Sequence, residues 1–298
     1  KGCGLHLLRR FIVVCLFAMV CRIPAHAQVV VYPGFEREDY HIRLLTQALS
    51  YFPEKHYELR PFNADLPKVR EFELMAENKG LDVMIGTATR ERVSRYQAVH
   101  FPTLKGLNGL RIPLVHKDNA DLFATITTMA QLRPLLVGQF HLWSDTKILK
   151  HNGLNVVAGT SYEGLYHMLE KKRIDYFPRS VVEIEWNLQQ HNMMDIVMDA
   201  HVLIQYPSEF CYFVRQGNDA LANDILNGLE RARQDGNFDK LFNEFYGRVI
   251  QSTRIAHRRV FHLDNPILSE HTPVHRPELW LNPPKTSTVG LVHKNRPE

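Results

Sequence analysis

The residues best suited to chemistry gather at three corners of the sequence. Thr87-Ala88-Thr89-Arg90-Glu91-Arg92 sets hydroxyls beside two guanidiniums, and Arg95 adds a third. A guanidinium is a planar fork that fits a carboxylate through two hydrogen bonds, so each of the three arginines is a candidate for holding an anion. Trp143-Ser144-Asp145 precedes a helical stretch whose free amides also suit an anion. The Trp143 ring could cover a solute there, or it could be a core tryptophan. Arg179-Ser180 follows a short apolar run, and Tyr32 ends another. Bond-making chemistry leaves no comparable signature, since G-x-S-x-G, H-E-x-x-H, a P-loop and C-x-x-C are all missing from the sequence. Cys211 stands among Phe210, Tyr212 and Phe213, where a buried, inert thiol is expected. His271 and His275 have helical spacing, but Pro273 between them breaks the helix a metal pair would need. No metal site and no cofactor is expected.

Strands and helices must position these corners. Residues 135–138 read as a strand, 139–145 as a loop with Ser144 and Asp145 as N-cap types, and 146–151 as a helix ended by Asn152-Gly153. A second strand covers 155–157. Gly159-Thr160-Ser161 then opens a helix with Leu165, Met168 and Leu169 on one face, and a third strand, 174–177, stops at Pro178. Upstream, strands at 28–32, 57–62 and 81–85 alternate with helices at 39–50 and 65–79. Downstream come a strand at 109–115, helices at 125–132 and 181–191, short strands at 196–198 and 202–204, an aromatic strand at 206–214, and helices at 218–234 and 238–246. This alternation predicts an α/β protein with mostly parallel sheets flanked by helices, and such sheets bind ligands beyond the carboxyl ends of their strands.

The run from Gly138 through Leu142-Trp143-Ser144-Asp145-Thr146 to Arg179-Ser180, with the later Leu229-Glu230-Arg231-Ala232-Arg233-Gln234-Asp235-Gly236-Asn237, resembles bacterial periplasmic solute-binding proteins of family 3. The resemblance spans roughly residues 28–250. It implies the two-lobe type 2 periplasmic binding protein fold: lobe 1 from 28–112, lobe 2 from 113–205, and a return to lobe 1 over 206–250 through a two-strand hinge. It also implies an interlobe cleft in which Arg92 clamps a ligand carboxylate, with Tyr32, Thr87, Trp143, Ser144, Asp145 and Arg179 as further ligand-binding candidates. The family's acid for a ligand ammonium falls here on Ser180, beside Arg179, whose charge would repel an ammonium. The expected ligand is a small polar solute, amino-acid-like or a carboxylate, and Arg179 tilts it from an ordinary α-amino acid towards an acidic or neutral one. The partners implied are a small-molecule solute and an inner-membrane ABC permease or a sensor, with the protein a monomer. A degenerate binding fold that serves as an interaction module, its cleft filled by its own side chains, is the alternative. A cleft enzyme would need a nucleophile or paired acids, and none is visible.

Residues 1–27 carry a cationic start (Lys1, Arg9, Arg10), an apolar run over 11–20, and Ala25-His26-Ala27 before Gln28. This predicts a cleavable secretion signal, cut after Ala27, and a periplasmic location. Four of the 36 basic residues and none of the 32 acidic ones lie in that segment, so the remainder is near neutral. Its charge gives no argument for nucleic acid. The segment 251–298 is rich in proline, with a basic cluster at Arg254, Arg258 and Arg259. It is expected to be an irregular tail that docks on the first lobe through Leu279-Trp280-Leu281, or one that binds a partner.

Overall fold

The computed structural model of the chain describes residues 27–281. The expected secretion signal lies outside the described residues except for Ala27, as does the end of the tail. The first lobe begins with β1 (Gln28–Tyr32), α1 (Tyr40–Ser50), β2 (Tyr57–Pro61), α2 (Lys68–Ala76), β3 (Val83–Thr87), α3 (Arg90–Arg95) and β4 (Gln97–Val99). Asp39 opens α1 by accepting the Ile42 amide at 3.0 Å. Pro67 precedes α2, so this helix starts later than the sequence suggested.

β5 (Leu110–His116) then leaves the first lobe. All seven of its residues are buried, as befits a central strand with both faces covered. The second lobe adds α4 (Met129–Leu132), β6 (Leu136–Phe140), α5 (Ser144–His151), β7 (Asn155–Gly159), α6 (Tyr162–Glu170), β8 (Phe177–Ser180), α7 (Ile184–Gln190), β9 (Ile196–Met198) and β10 (Val202–Gln205). A capping box between Thr128 and Gln131 starts α4 at Met129, which shortens the expected helix. β11 (Phe210–Val214) returns to the first lobe between β3 and β4, and α8 (Asp219–Gln234) and α9 (Asn237–Ser252) pack behind it. Gly228 lets α8 press against α1, because a Cβ there would overlap the Ala48 carbonyl.

The sheets are mixed, not mostly parallel. β1 pairs with β2 and β6 with β7 in parallel, but β8, β9 and β10 all run against β5, while β3 and β4 run against β11. The hinge is the cause: β5 and β11 each arrive from the other lobe and enter its sheet against the strands they join. The two crossings meet where the Tyr206 amide donates to the Gly109 carbonyl at 3.1 Å. A Cβ at position 109 would overlap the Tyr206 carbonyl, so the close approach requires glycine. β8 runs through Pro178, the residue expected to end it. Pro178 lies opposite Pro113, and the bond from the Val181 amide to the Leu110 carbonyl sets an alternation in which that pair exchanges no backbone hydrogen bonds, so their missing N–H groups cost this ladder nothing. Leu44, Phe101, Phe238 and Phe242 fill the core beneath the first lobe, and Phe123, Leu149 and Tyr176 that of the second.

Beyond Ser252 the chain is not irregular throughout. β12 (Arg259–His262) joins the second lobe, parallel to β10 from Val202↔Arg259 to Gln205↔His262. The buried Arg258 anchors it by donating to the carbonyls of Thr253, Asp199 and Val202. The chain then returns to the first lobe. There Leu279 and Trp280 are buried, Trp280 lies over Gly106, and the Leu281 amide donates to the Lys105 carbonyl at 2.9 Å.

Candidate functional site

A cavity of about 840 Å³ lies between the lobes, within the range of small-molecule sites. The first lobe contributes Lys68 from the start of α2, Thr87 from the end of β3, Thr89 to Arg92 and Phe210. The second contributes Arg111 from β5, Leu142 to Asp145 and Lys147 at the start of α5, and Glu183. Asn108 comes from the hinge, and Pro266 and Ile267 from the tail.

The run after β3, read from sequence as a loop, is largely the short helix α3. Thr89 caps it by accepting the Arg92 amide at 3.2 Å. One turn along, Arg92 folds back over the end of β3. Its Nη1 donates to the Thr87 carbonyl at 2.6 Å, and its guanidinium lies 4.8 Å from the centre of the Phe72 ring. Gly86 leaves the space it occupies. Burial lowers the pKa of Arg92, with neighbouring Cys211 and Tyr96 working the other way. Lys68 stands 5.4 Å from the centre of Phe210. Its side chain is open to the cleft, yet desolvation among the cleft walls, and then the Arg92 charge, bring its ammonium down to about 8.

On the opposite wall, Trp143 precedes α5 and neither Ser144 nor Asp145 caps it: α5 begins at Ser144, and the N-cap is Trp143. Asp145 lines the cavity, but its carboxylate is already engaged. Arg111 Nη2 lies 2.8 Å from it and the Tyr206 hydroxyl donates to it, while Arg111 Nε donates to Tyr206 Oη at 2.8 Å. Burial alone would lower the pKa of Arg111; Asp145, Tyr206 and Glu183 offset it and raise it. This group joins the first crossing, the second crossing and α5, so Asp145 is committed to fastening α5 to the hinge.

Two of the expected residues stand away from the cavity. Tyr32 is buried in the first lobe under Arg37, whose guanidinium lies 5.3 Å from its ring centre. Arg179 lies inside β8 and is 3 % exposed, because the strand continues past Pro178. It is boxed by Trp143, Phe177 and Tyr162, donates to Asn187 at 2.8 Å, and pairs with Glu183 at 3.0 Å. Arg179 therefore bears on the cleft through Trp143 and Glu183. Thr87, Arg92, Trp143, Ser144 and Asp145 do line it. Lys68, Arg111, Lys147 and Glu183 were not foreseen. Glu183 lies three residues past Ser180, where the acid was sought, and accepts the Ser180 amide at 3.2 Å. The Ser180-to-Glu183 spacing before a helix was the available signal.

Among the described residues no group of three or more potential ligands could hold a metal ion, and no helix is long and apolar enough to cross a membrane. Cys211 is a free, buried thiol whose pKa burial raises.

No protein-family model matches the chain. The protein named "Putative ABC transporter arginine-binding protein 2" of Escherichia coli (strain K12) is 26% identical over 221 residues, 69% of this chain and 90% of that protein. An ancestral arginine-binding protein, solved with arginine bound, superposes with a TM-score of 0.52 at 19% identity, covering 74% of this chain and 100% of its own. A histidine kinase sensor domain with similarity to periplasmic binding proteins gives 0.51 at 15%, covering 74% and 97%. Together with two lobes around a cleft, these likenesses establish the type 2 periplasmic binding protein fold.

Proposed function

We propose that the cleft captures a small solute rich in carboxylate, an acidic amino acid or an aliphatic dicarboxylate, and does no chemistry on it. The observation that carries this reading is the charge of the walls. Lys68, Arg90, Arg92, Arg111 and Lys147 face the cavity against Glu91, Asp145 and Glu183, and two of those three acids are already paired with arginines. Arg92 receives one carboxylate, with Lys68 beside it, and Lys147 meets the second from across the cleft. Glu183 is the acid available to an α-ammonium, weakened for that purpose by Arg179 and Arg111. The likeness to arginine-binding proteins does not extend to the ligand on this reading, since a guanidinium would meet a surplus of cations. The open cavity also weighs against an interaction module whose cleft its own side chains fill. The protein acts in the periplasm, after removal of residues 1–27, and hands its solute to an ABC permease or presents it to a sensor.

Calorimetric titration of the chain from Gln28 with L-glutamate, L-aspartate, succinate and L-arginine tests this. The acidic compounds are expected to bind and arginine is not, and Arg92→Ala should weaken binding about a hundredfold, the worth of a charged bidentate contact. Arginine binding tighter than glutamate would overturn the assignment.

A further inference from the structure

A third length of chain joins the lobes, and it runs along the cleft. After β12 the Asp264 amide donates to Asn152 Oδ1 at 3.0 Å, and Asn152 Nδ2 donates to the Asp264 carbonyl at 2.8 Å, which fastens the segment to the end of α5. Asn265 donates to the Pro207 carbonyl at 2.8 Å, beside the second crossing. The side chain of Ile267 packs on the second lobe's core, while its carbonyl accepts the Arg90 amide of the first lobe at 3.0 Å. Arg90 Nε donates to the Leu268 carbonyl at 3.0 Å, and Leu268 bridges Thr89 in antiparallel fashion. Further on, Thr272 donates to the buried Glu209 carboxylate at 2.8 Å. One short segment is thus bonded to both walls, and Pro266 and Ile267 line the cavity between them.

We propose that residues 264–269 form a built-in wall of the cleft that also tethers its two lobes, so that Ile267 contacts the solute and the lobes keep their separation when the solute leaves. Two strands alone leave a hinge free to open and close at little cost in contacts within each lobe. A third connection with hydrogen bonds on both sides removes that freedom. The chemistry of the wall complements the rest of the site. Among the described residues of the tail, Pro266 and Ile267 bring aliphatic side chains to a cleft otherwise lined largely by charges, which suits the methylene chain between the carboxylates of a dicarboxylate. The contact with solute rests on the carboxylate reading above; the tether does not.

The test uses the chain from Gln28 with Asp65→Cys and Lys150→Cys, exposed positions on opposite lobes, spin-labelled for pulsed distance measurement; Cys211 is buried and stays unlabelled. A protease site inserted between Asn265 and Pro266 is cut after folding. A narrow interlobe distance that L-glutamate leaves unchanged, and that broadens on cutting, supports the tether. The same distribution before and after cutting overturns it. Ile267→Ala should weaken L-glutamate binding about fivefold, as expected for one aliphatic contact, and unchanged affinity overturns the wall. If the unaltered protein binds no L-glutamate, the carboxylate reading fails and the wall with it, while the distance measurement still decides the tether.

Discussion

Arg111→Met is predicted to be among the costliest single substitutions in the second lobe. Arg111 is 7 % exposed, and its guanidinium satisfies Asp145 at 2.8 Å, Tyr206 at 2.8 Å and the edge of Glu183 at 3.5 Å. Methionine keeps much of the volume and removes the charge, which leaves the Asp145 carboxylate, itself 7 % exposed, with the Tyr206 hydroxyl but no cation. Breaking a buried pair on one side costs about 3–5 kcal/mol. Asp145 sits in the first turn of α5, where the helix dipole returns about 0.5–1 kcal/mol of that. The net loss is therefore about 3 kcal/mol, read as a fall in urea midpoint at unchanged slope. Arg111→Met with Asp145→Leu should recover most of it, because an apolar pair replaces the ion pair on both sides. A single substitution costing under about 1 kcal/mol, or a double no better than the single, would refute the view that this pair is a structural fastening of the hinge.

Two further predictions concern protons. Lys68 has its pKa brought down to about 8 by desolvation and Arg92, so near that pH a bound carboxylate should draw a proton onto it; calorimetry at pH 8.5 in buffers of different ionisation heat should show proton uptake with affinity falling as pH rises, and Lys68→Met should abolish the uptake. His41 is neutral in the folded state, its pKa lowered by burial to about 4 from 6.5. Between those values the unfolded chain binds more protons, so stability rises with pH across the window and is lost as pH falls from 6.5 towards 4, by up to about 3 kcal/mol; His41→Phe should flatten that acid limb in urea unfolding, and an unchanged limb would assign the loss elsewhere.

Much of the fold was legible because periodicity and stop signals were strong. The apolar faces of α1 and α8 and the buried β5 stand where the sequence placed them, to within a residue or two, and α9 starts as expected but runs on to Ser252. The direction of the sheets was not legible, since strand order depends on which strands cross between lobes and crossing leaves no local mark. The candidate site divides in the same way. Arg92 and Trp143 sit at corners whose chemistry shows in their own types. Arg179 misled because Pro178 looks like a strand end until Pro113 is known to face it, a contact between residues far apart in sequence. Glu183 and Lys68 escaped notice as ordinary helix-edge charges, and Arg111 as one cation inside an apolar strand. The tail's part in the cleft depends on β12 pairing with β10, and four residues are too few to announce a strand.

That pairing also bears on how the chain acquires its shape. β12 supplies the outer neighbour of β10, yet it is made after β11, α8 and α9. While the polypeptide is being produced, β10 has an open edge, and such an edge invites association with other chains. The first lobe is equally incomplete until β11 slots between β3 and β4 from far along the sequence. Neither half can finish while its last strand is missing, so the molecule should assemble in a single late step dominated by long-range pairings, slowly, and with most to gain from protection until β12 is in place.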